Sequence, residues 1–228
     1  MKLVYSDSLG STLDALDEAF FTGLTLTAAQ REKAARWIAA RQGLPHAYAG
    51  MPAPTEHDFE TGMAVFTGER VRSGAGTAHI LGEEACRVLI LLRVREPEVR
   101  EALKRATDGM LARLADSKRR GYPSGTYCCG ICSCAFWRHL AAGGLSRNEE
   151  RLAAGVKALK AHRLESGRWR RFPFFYTLLA LTEIDPALTR PEMTFAAPVC
   201  ERYIRAFRLN TPHAKRRQRL AELVLTRA

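Results

Sequence analysis

Four cysteines fall within seven positions of the run GTYCCGICSCAFWRH, at Cys128, Cys129, Cys132 and Cys134, and His139 closes it. Thiolate sulfur and imidazole nitrogen are the usual protein ligands of zinc, and Cys129-x-x-Cys132 has a ligand spacing. Structural zinc sites, however, place such pairs on turns so that the sulfurs converge. Read as one continuous helix, the run puts Cys128 and Cys132 on one face and turns Cys134 away. Cys, Gly, Ser and Ala are also the small residues that let a helix pack closely, and free cysteine is among the most buried residue types. The expectation is therefore small-residue packing, with no cofactor favoured. Zinc, with Cys128, Cys129, Cys132 and His79 as candidate ligands, is the alternative. A reactive thiol would need a helix N-terminus, which singles out Cys128 and Cys129. Both are expected to meet no polar partner.

Other residues could also do chemistry. His79 precedes Glu83 by four positions, so the two share a helix face. They could act as an acid–base or metal pair, or simply as a hydrogen-bonded pair at a helix start. His79, Glu83, Tyr127 and Cys128 are the catalytic candidates. Tyr127 and Tyr176 occupy equivalent places at the starts of two apolar segments. In the run WRRFPFFY, Trp169, Arg170 and Arg171 stand beside aromatics. Tyr127, Tyr176, Trp169, Arg170 and Arg171 are the ligand-binding candidates, the arginines for a phosphate.

The elements that must carry these residues read as helix after helix. Thr27 and Gln30 have capping-box spacing and open a helix to about Gln42. Pro97 sits where a first-turn proline belongs. Ser146 and Glu149 form a second capping box after Gly143 and Gly144, and Thr211 with Pro212 marks another start. Strand signals are scarce. The segment 44–76, rich in Gly and Pro, reads as a long loop with one short helix.

An internal repeat organises the helices. Three times an amphipathic helix runs through a Gly-containing turn into a far more apolar one: REKAARWIAARQG before SGAGTAHILGEEACRVLILL, REALKRATDGMLARLADSKRRG before TYCCGICSCAFWRHL, and EERLAAGVKALKAHRLESGRW before FPFFYTLLALTEI. Setting Gly82 against Gly130 pairs Cys86 with Cys134. A period of roughly 45–50 residues points to stacked two-helix units, with the apolar helix of each inside.

The stretch LKAHRLESGRWRRFPFFYTLLALTEID resembles the repeat of squalene cyclases and protein prenyltransferases. Gly167 and Trp169 match its turn, and Tyr176, Thr177, Leu179, Ala180 and Leu181 match its inner helix. Gly121, Tyr122, Thr126 and Tyr127 repeat the pattern loosely. The resemblance covers roughly residues 28–185. It implies an all-α fold of stacked two-helix repeats in an (α/α)-toroid-like arrangement enclosing an apolar cavity, the ring open or shortened because fewer helices are readable than a closed toroid uses. The family's chemistry is not carried over. An Asp-x-Asp-Asp motif is absent, and Glu56, Asp58 and Glu60 lie in the long loop at another spacing. The prenyltransferase zinc set of Asp, Cys and His is not matched residue by residue.

Composition bounds the rest. The 228 residues are 46% hydrophobic and 26% charged, ordinary for one soluble globular domain spanning 1–228. Six cysteines, four of them in one segment, do not make a secreted disulfide framework, and a reducing cytoplasm is expected. Neither a signal peptide nor a membrane span is expected. Net charge is +11, and the basic helices expected over about 197–228 concentrate it. Arg202, Arg205, Arg208, Lys215, Arg216 and Arg217 would offer a face to an acidic protein, nucleic acid or anionic membrane. The expected function is binding, or processing, of an apolar or isoprenoid-type small molecule in the cavity. A non-catalytic helical-repeat scaffold using its basic face is the rival.

Overall fold

The computed structural model describes residues 2–119, 121, 125–206, 208 and 210–228. Among these residues the chain is all-α, with ten helices and no strand. They are α1 (Leu9–Thr22), α2 (Ala28–Ala39), α3 (Glu56–Glu60), α4 (Gly74–Leu92), α5 (Pro97–Arg119), α6 (Gly130–Ala141), α7 (Asn148–Lys160), α8 (Phe174–Glu183), α9 (Pro186–Arg205) and α10 (Pro212–Arg227). Tyr122, part of the family resemblance, lies outside the described residues.

Local chemistry accounts for most starts. Thr27 and Gln30 form the reciprocal capping box that opens α2, Pro97 is the first residue of α5, and the Thr211 hydroxyl accepts from the Ala214 amide ahead of α10. The cap position falls on Arg147 rather than on the expected Ser146. Arg147 enters the left-handed region with φ 57°, and α7 begins at Asn148 with no side-chain cap. Helix α9 starts earlier than the expected basic tail, at Pro186 behind an Asp185 cap, and runs through Pro191 and Pro198.

The helices group into two compact units. The first contains α1 to α5 and the connection Ala142–Ser146; the second contains Val65–Glu69 and α6 to α10. In the first unit α4 is the centre, touched by α1, α2, α3 and α5. Fourteen of its 19 residues are buried, among them His79, Glu83, Glu84 and Arg87. Leu9, Leu13, Leu16, Ile38, Leu89 and Val99 supply much of its apolar core.

In the second unit α6 packs on α7 and α8, while α9 and α10 lie together and both reach α8. Ten of the 12 residues of α6 and eight of the ten of α8 are buried, against four of 13 in α7. A half-exposed helix followed by an enclosed one recurs along the chain as α2–α4, α5–α6 and α7–α8. The α6–α7 contact depends on missing side chains. A Cβ on Gly155 would stand 2.4 Å from Trp137 Nε1, and that nitrogen donates to the Gly125 carbonyl at 2.6 Å.

No helix among the described residues is long and apolar enough to cross a membrane.

Candidate functional site

The cysteine run does not form one continuous helix. Helix α6 begins at Gly130, and Cys128 and Cys129 lie on the bend before it. Ser133 fixes this start from within the first turn. Its amide and hydroxyl donate to the Cys129 carbonyl at 2.9 and 2.8 Å, and its Oγ accepts from the Tyr127 amide at 2.8 Å. Cys129 is therefore the cap residue, with its carbonyl already in the helix and its side chain free of helical geometry.

Gly130 completes the arrangement. A Cβ there would stand 2.1 Å from the Arg171 carbonyl oxygen and 2.8 Å from the Phe172 Cα, so the loop before α8 rests directly on the start of α6.

This bend brings the sulfurs together. The ligand atoms of Cys128, Cys129 and Cys132 all lie within 4.8 Å of one another. Cys128 and Cys129 are exposed and Cys132 is buried one turn inside the helix. The neighbours that Cys128 and Cys129 meet are the other thiols of the same run. The small-residue reading suits the other three cysteines, Cys86, Cys134 and Cys200, all buried. Burial pushes the Cys134 thiol up to about 12 and the Cys200 thiol up to about 11. Cys134 lies 3.4 Å from the Thr177 hydroxyl.

The three converging thiols are unequal. The Cys129 thiol is held well below its ordinary range by hydrogen bonds with Cys128 and then Cys132, supported by the amides of Cys132 and Ile131. Those amides are among the unsatisfied donors of a helix N-terminus, where negative charge is favoured. The Cys132 thiol is pushed up because it hydrogen-bonds with Cys128 and Cys129, and burial adds to this. Cys128 is also raised, chiefly through Cys129. Negative charge in the cluster is therefore favoured on Cys129 over Cys128 and Cys132.

The remaining candidates are dispersed. In the first unit His79 Nε2 lies 3.2 Å from Glu83 Oε1, as the i, i+4 spacing predicts, and both side chains are buried. The Tyr48 ring is 4.9 Å from the His79 ring. The Cys86 thiol is raised well above its ordinary value, by burial and then by the Glu83 charge. Metal-ligating groups of three or more number one among the described residues, the cysteine cluster, and it contains no histidine.

In the second unit Tyr176 and Trp169 are enclosed rather than displayed. Tyr176 has no exposed surface and packs under the Arg138 guanidinium, 5.7 Å from the ring centre. Arg138 makes a two-pronged contact with Glu183 at 2.9 Å for each nitrogen. Trp169 Nε1 donates to Glu192 at 2.8 Å, and Arg163 donates to the same carboxylate. Tyr127 is half-buried, its ring 6.1 Å from Phe136. Arg170 and Arg171 are exposed. Glu183 and Glu192, far from their partners in the chain, carried no local signal.

The basic C-terminal face is smaller than expected. Arg202, Arg205, Arg208 and Lys215 are exposed. Arg216 is 9% exposed, lies 4.0 Å over the Phe66 ring and donates to the Phe66 carbonyl. Arg217 donates to the Thr67 carbonyl at 2.6 Å. Both arginines hold the segment Val65–Glu69 within the second unit, where guanidinium can satisfy carbonyls and cover an aromatic face together.

Asp58 has a structural task. It accepts from the Ser8 hydroxyl at 2.7 Å, from the Leu9 and Gly10 amides at the start of α1, and from the Thr55 amide and hydroxyl. The three-residue step from Thr55 to Asp58 is a capping spacing, the signal that identifies this role.

Comparison with known proteins finds no family model, no curated protein and no solved structure that matches the chain.

Proposed function

We propose that this protein binds a thiophilic metal ion through Cys128, Cys129 and Cys132. The observation that carries this reading is the convergence of three sulfurs within 4.8 Å at the start of α6. Thiolates coordinate zinc at about 2.3 Å, which sets sulfurs around one ion roughly 3.8 Å apart, so modest side-chain rotation closes the cluster. Soft sulfur donors favour Zn(II) and Cu(I) over Mg(II) or Ca(II). Three protein ligands, two of them exposed, leave a position on the ion open to solvent or to an added ligand.

Elemental analysis of protein purified under reducing conditions, followed by Co(II) titration, tests this. About one ion per chain is expected, with a sulfur-to-cobalt charge-transfer band that Cys132→Ser abolishes. Absence of the band, or its persistence in that variant, removes the proposal.

A second reading follows from the family resemblance: an (α/α)-toroid arrangement holding an apolar ligand. It is favoured by the alternation of exposed and enclosed helices and by the half-buried Tyr127 ring immediately before the thiols. Native mass spectrometry of the purified protein tests it through a co-purifying apolar molecule that Tyr127→Ala releases.

A further inference from the structure

We propose that Cys129 and Cys132 form a thiol–disulfide exchange pair that reduces small, accessible disulfides. This activity goes beyond metal binding, and it needs no ion.

Three geometric observations support it. Cys129 and Cys132 are three positions apart, and their sulfurs are among those within 4.8 Å of one another. A disulfide needs about 2.05 Å between sulfurs, and the i, i+3 step around a helix start places two side chains as neighbours. Cys129 lies outside the helix, so its side chain can swing toward Cys132 without breaking a helical turn.

The second observation is the asymmetry of exposure. Cys129 is at the surface and Cys132 is buried behind it. An incoming disulfide therefore reaches Cys129 first, and Cys132 acts only after the first bond has formed. The third is the place of Cys129 at the cap of α6, where its carbonyl accepts from the Ser133 amide at 2.9 Å and the unpaired amides of the first turn begin. Amides at a helix start stabilise charge on the Cys129 sulfur both as it attacks and as it is displaced.

The chemistry balances as follows. The Cys129 thiolate attacks one sulfur of a disulfide RS–SR. A Cys129–SR bond forms, the S–S bond of the substrate breaks, and RS⁻ leaves with the electron pair. That RS⁻ takes the proton of the Cys132 thiol. The Cys132 thiolate then attacks the Cys129 sulfur, the Cys129–SR bond breaks, and a second RS⁻ leaves and is protonated by solvent. The protein loses two electrons and gains a Cys129–Cys132 disulfide; the substrate gains two electrons and becomes two RSH.

The test uses the full-length, reduced, metal-stripped chain and 2-hydroxyethyl disulfide, read by intact mass and by thiol titration. The expected product has lost two hydrogens and two titratable thiols, with the new bond mapped to Cys129–Cys132. Cys132→Ser should accumulate a mixed disulfide on Cys129, and Cys132→Ala should do the same. Cys129→Ser should slow thiol loss by at least roughly tenfold. Cys128→Ser separates the two activities of the cluster. It removes a metal ligand, so cobalt binding fails, while the product disulfide still maps to Cys129–Cys132. A Cys129→Ser variant as fast as the parent, no mixed disulfide in either Cys132 variant, or loss of the Cys129–Cys132 disulfide in Cys128→Ser overturns the proposal. Failure of cobalt to bind the parent protein overturns only the metal reading.

Discussion

Helices α1 and α6 both begin against an anionic group, yet the two starts are built for opposite ends. At α1 the anion is the Asp58 carboxylate, buried and surrounded by donors from Ser8, Leu9, Gly10 and Thr55. At α6 it is the Cys129 sulfur, where negative charge is favoured, exposed and flanked by two further thiols that can exchange their protons for another partner. Both exploit unsatisfied amides at a helix N-terminus. Only the second leaves donor capacity facing outward. A closed anion stabilises the fold; an open one is available for chemistry.

The comparison breaks most visibly at Asp58. Asp58→Ala leaves several donors buried without an acceptor, and a loss of about 3 kcal/mol in urea denaturation is expected. A loss below about 1 kcal/mol would show that the cap is dispensable.

Gly10, the second residue of α1, and Gly130, the first of α6, differ in clearance. A Cβ on Gly10 would approach the Asp58 carboxylate at 3.2 Å, whereas one on Gly130 would meet the Arg171 carbonyl at 2.1 Å. Gly130→Ala should cost about 2 kcal/mol or more, and Gly10→Ala less than about 1 kcal/mol. Equal melting temperatures for the two variants would contradict this.

Proton release sharpens the contrast in chemistry. The Cys128 and Cys132 thiols are raised, so their protons are the ones an ion must displace, while the Cys129 thiol is lowered. Raising the pH removes that competition. Zinc affinity should therefore rise with pH, by roughly tenfold or more per unit across the neutral range, and fall on acidification. A flat profile in a competitive chelator titration would mean that the raised thiols are not ligands.

The smallest effect is expected from Cys129→Ala. Losing an exposed cap costs about 1 kcal/mol or less, while metal binding and disulfide exchange both disappear. A much larger loss of stability would make the thiolate a structural group like Asp58.

Much of the fold was legible because helix signals are local. Thr27 with Gln30, Pro97, and Thr211 with Pro212 act within one turn of themselves, and each opens a helix. The failures share one cause: a backbone conformation set from outside the local run. Arg147 takes a left-handed geometry that displaces the Ser146–Glu149 box, and α9 starts well before the basic tail and runs through Pro191 and Pro198. The site was half legible. The spacing of Cys129 and Cys132 identified the residues, but the continuous-helix reading favoured small-residue packing over a convergence of three sulfurs. The start of α6 is fixed by Ser133 and by a loop about forty residues later, and no periodicity in GTYCCGICSCAFWRH reports that. Arg216 and Arg217 likewise read as surface charge until their carbonyl partners at Phe66 and Thr67 are seen.

The contact between Gly130 and Arg171 also says how this site can be inherited. Because backbone, not side chain, occupies the space beside Gly130, the three letters Cys-Cys-Gly form one condition rather than three. A descendant that keeps both thiols but replaces the glycine must rebuild the connection to α8 as well. Drift at position 130 is therefore a sharper marker of a lost site than drift at either exposed cysteine.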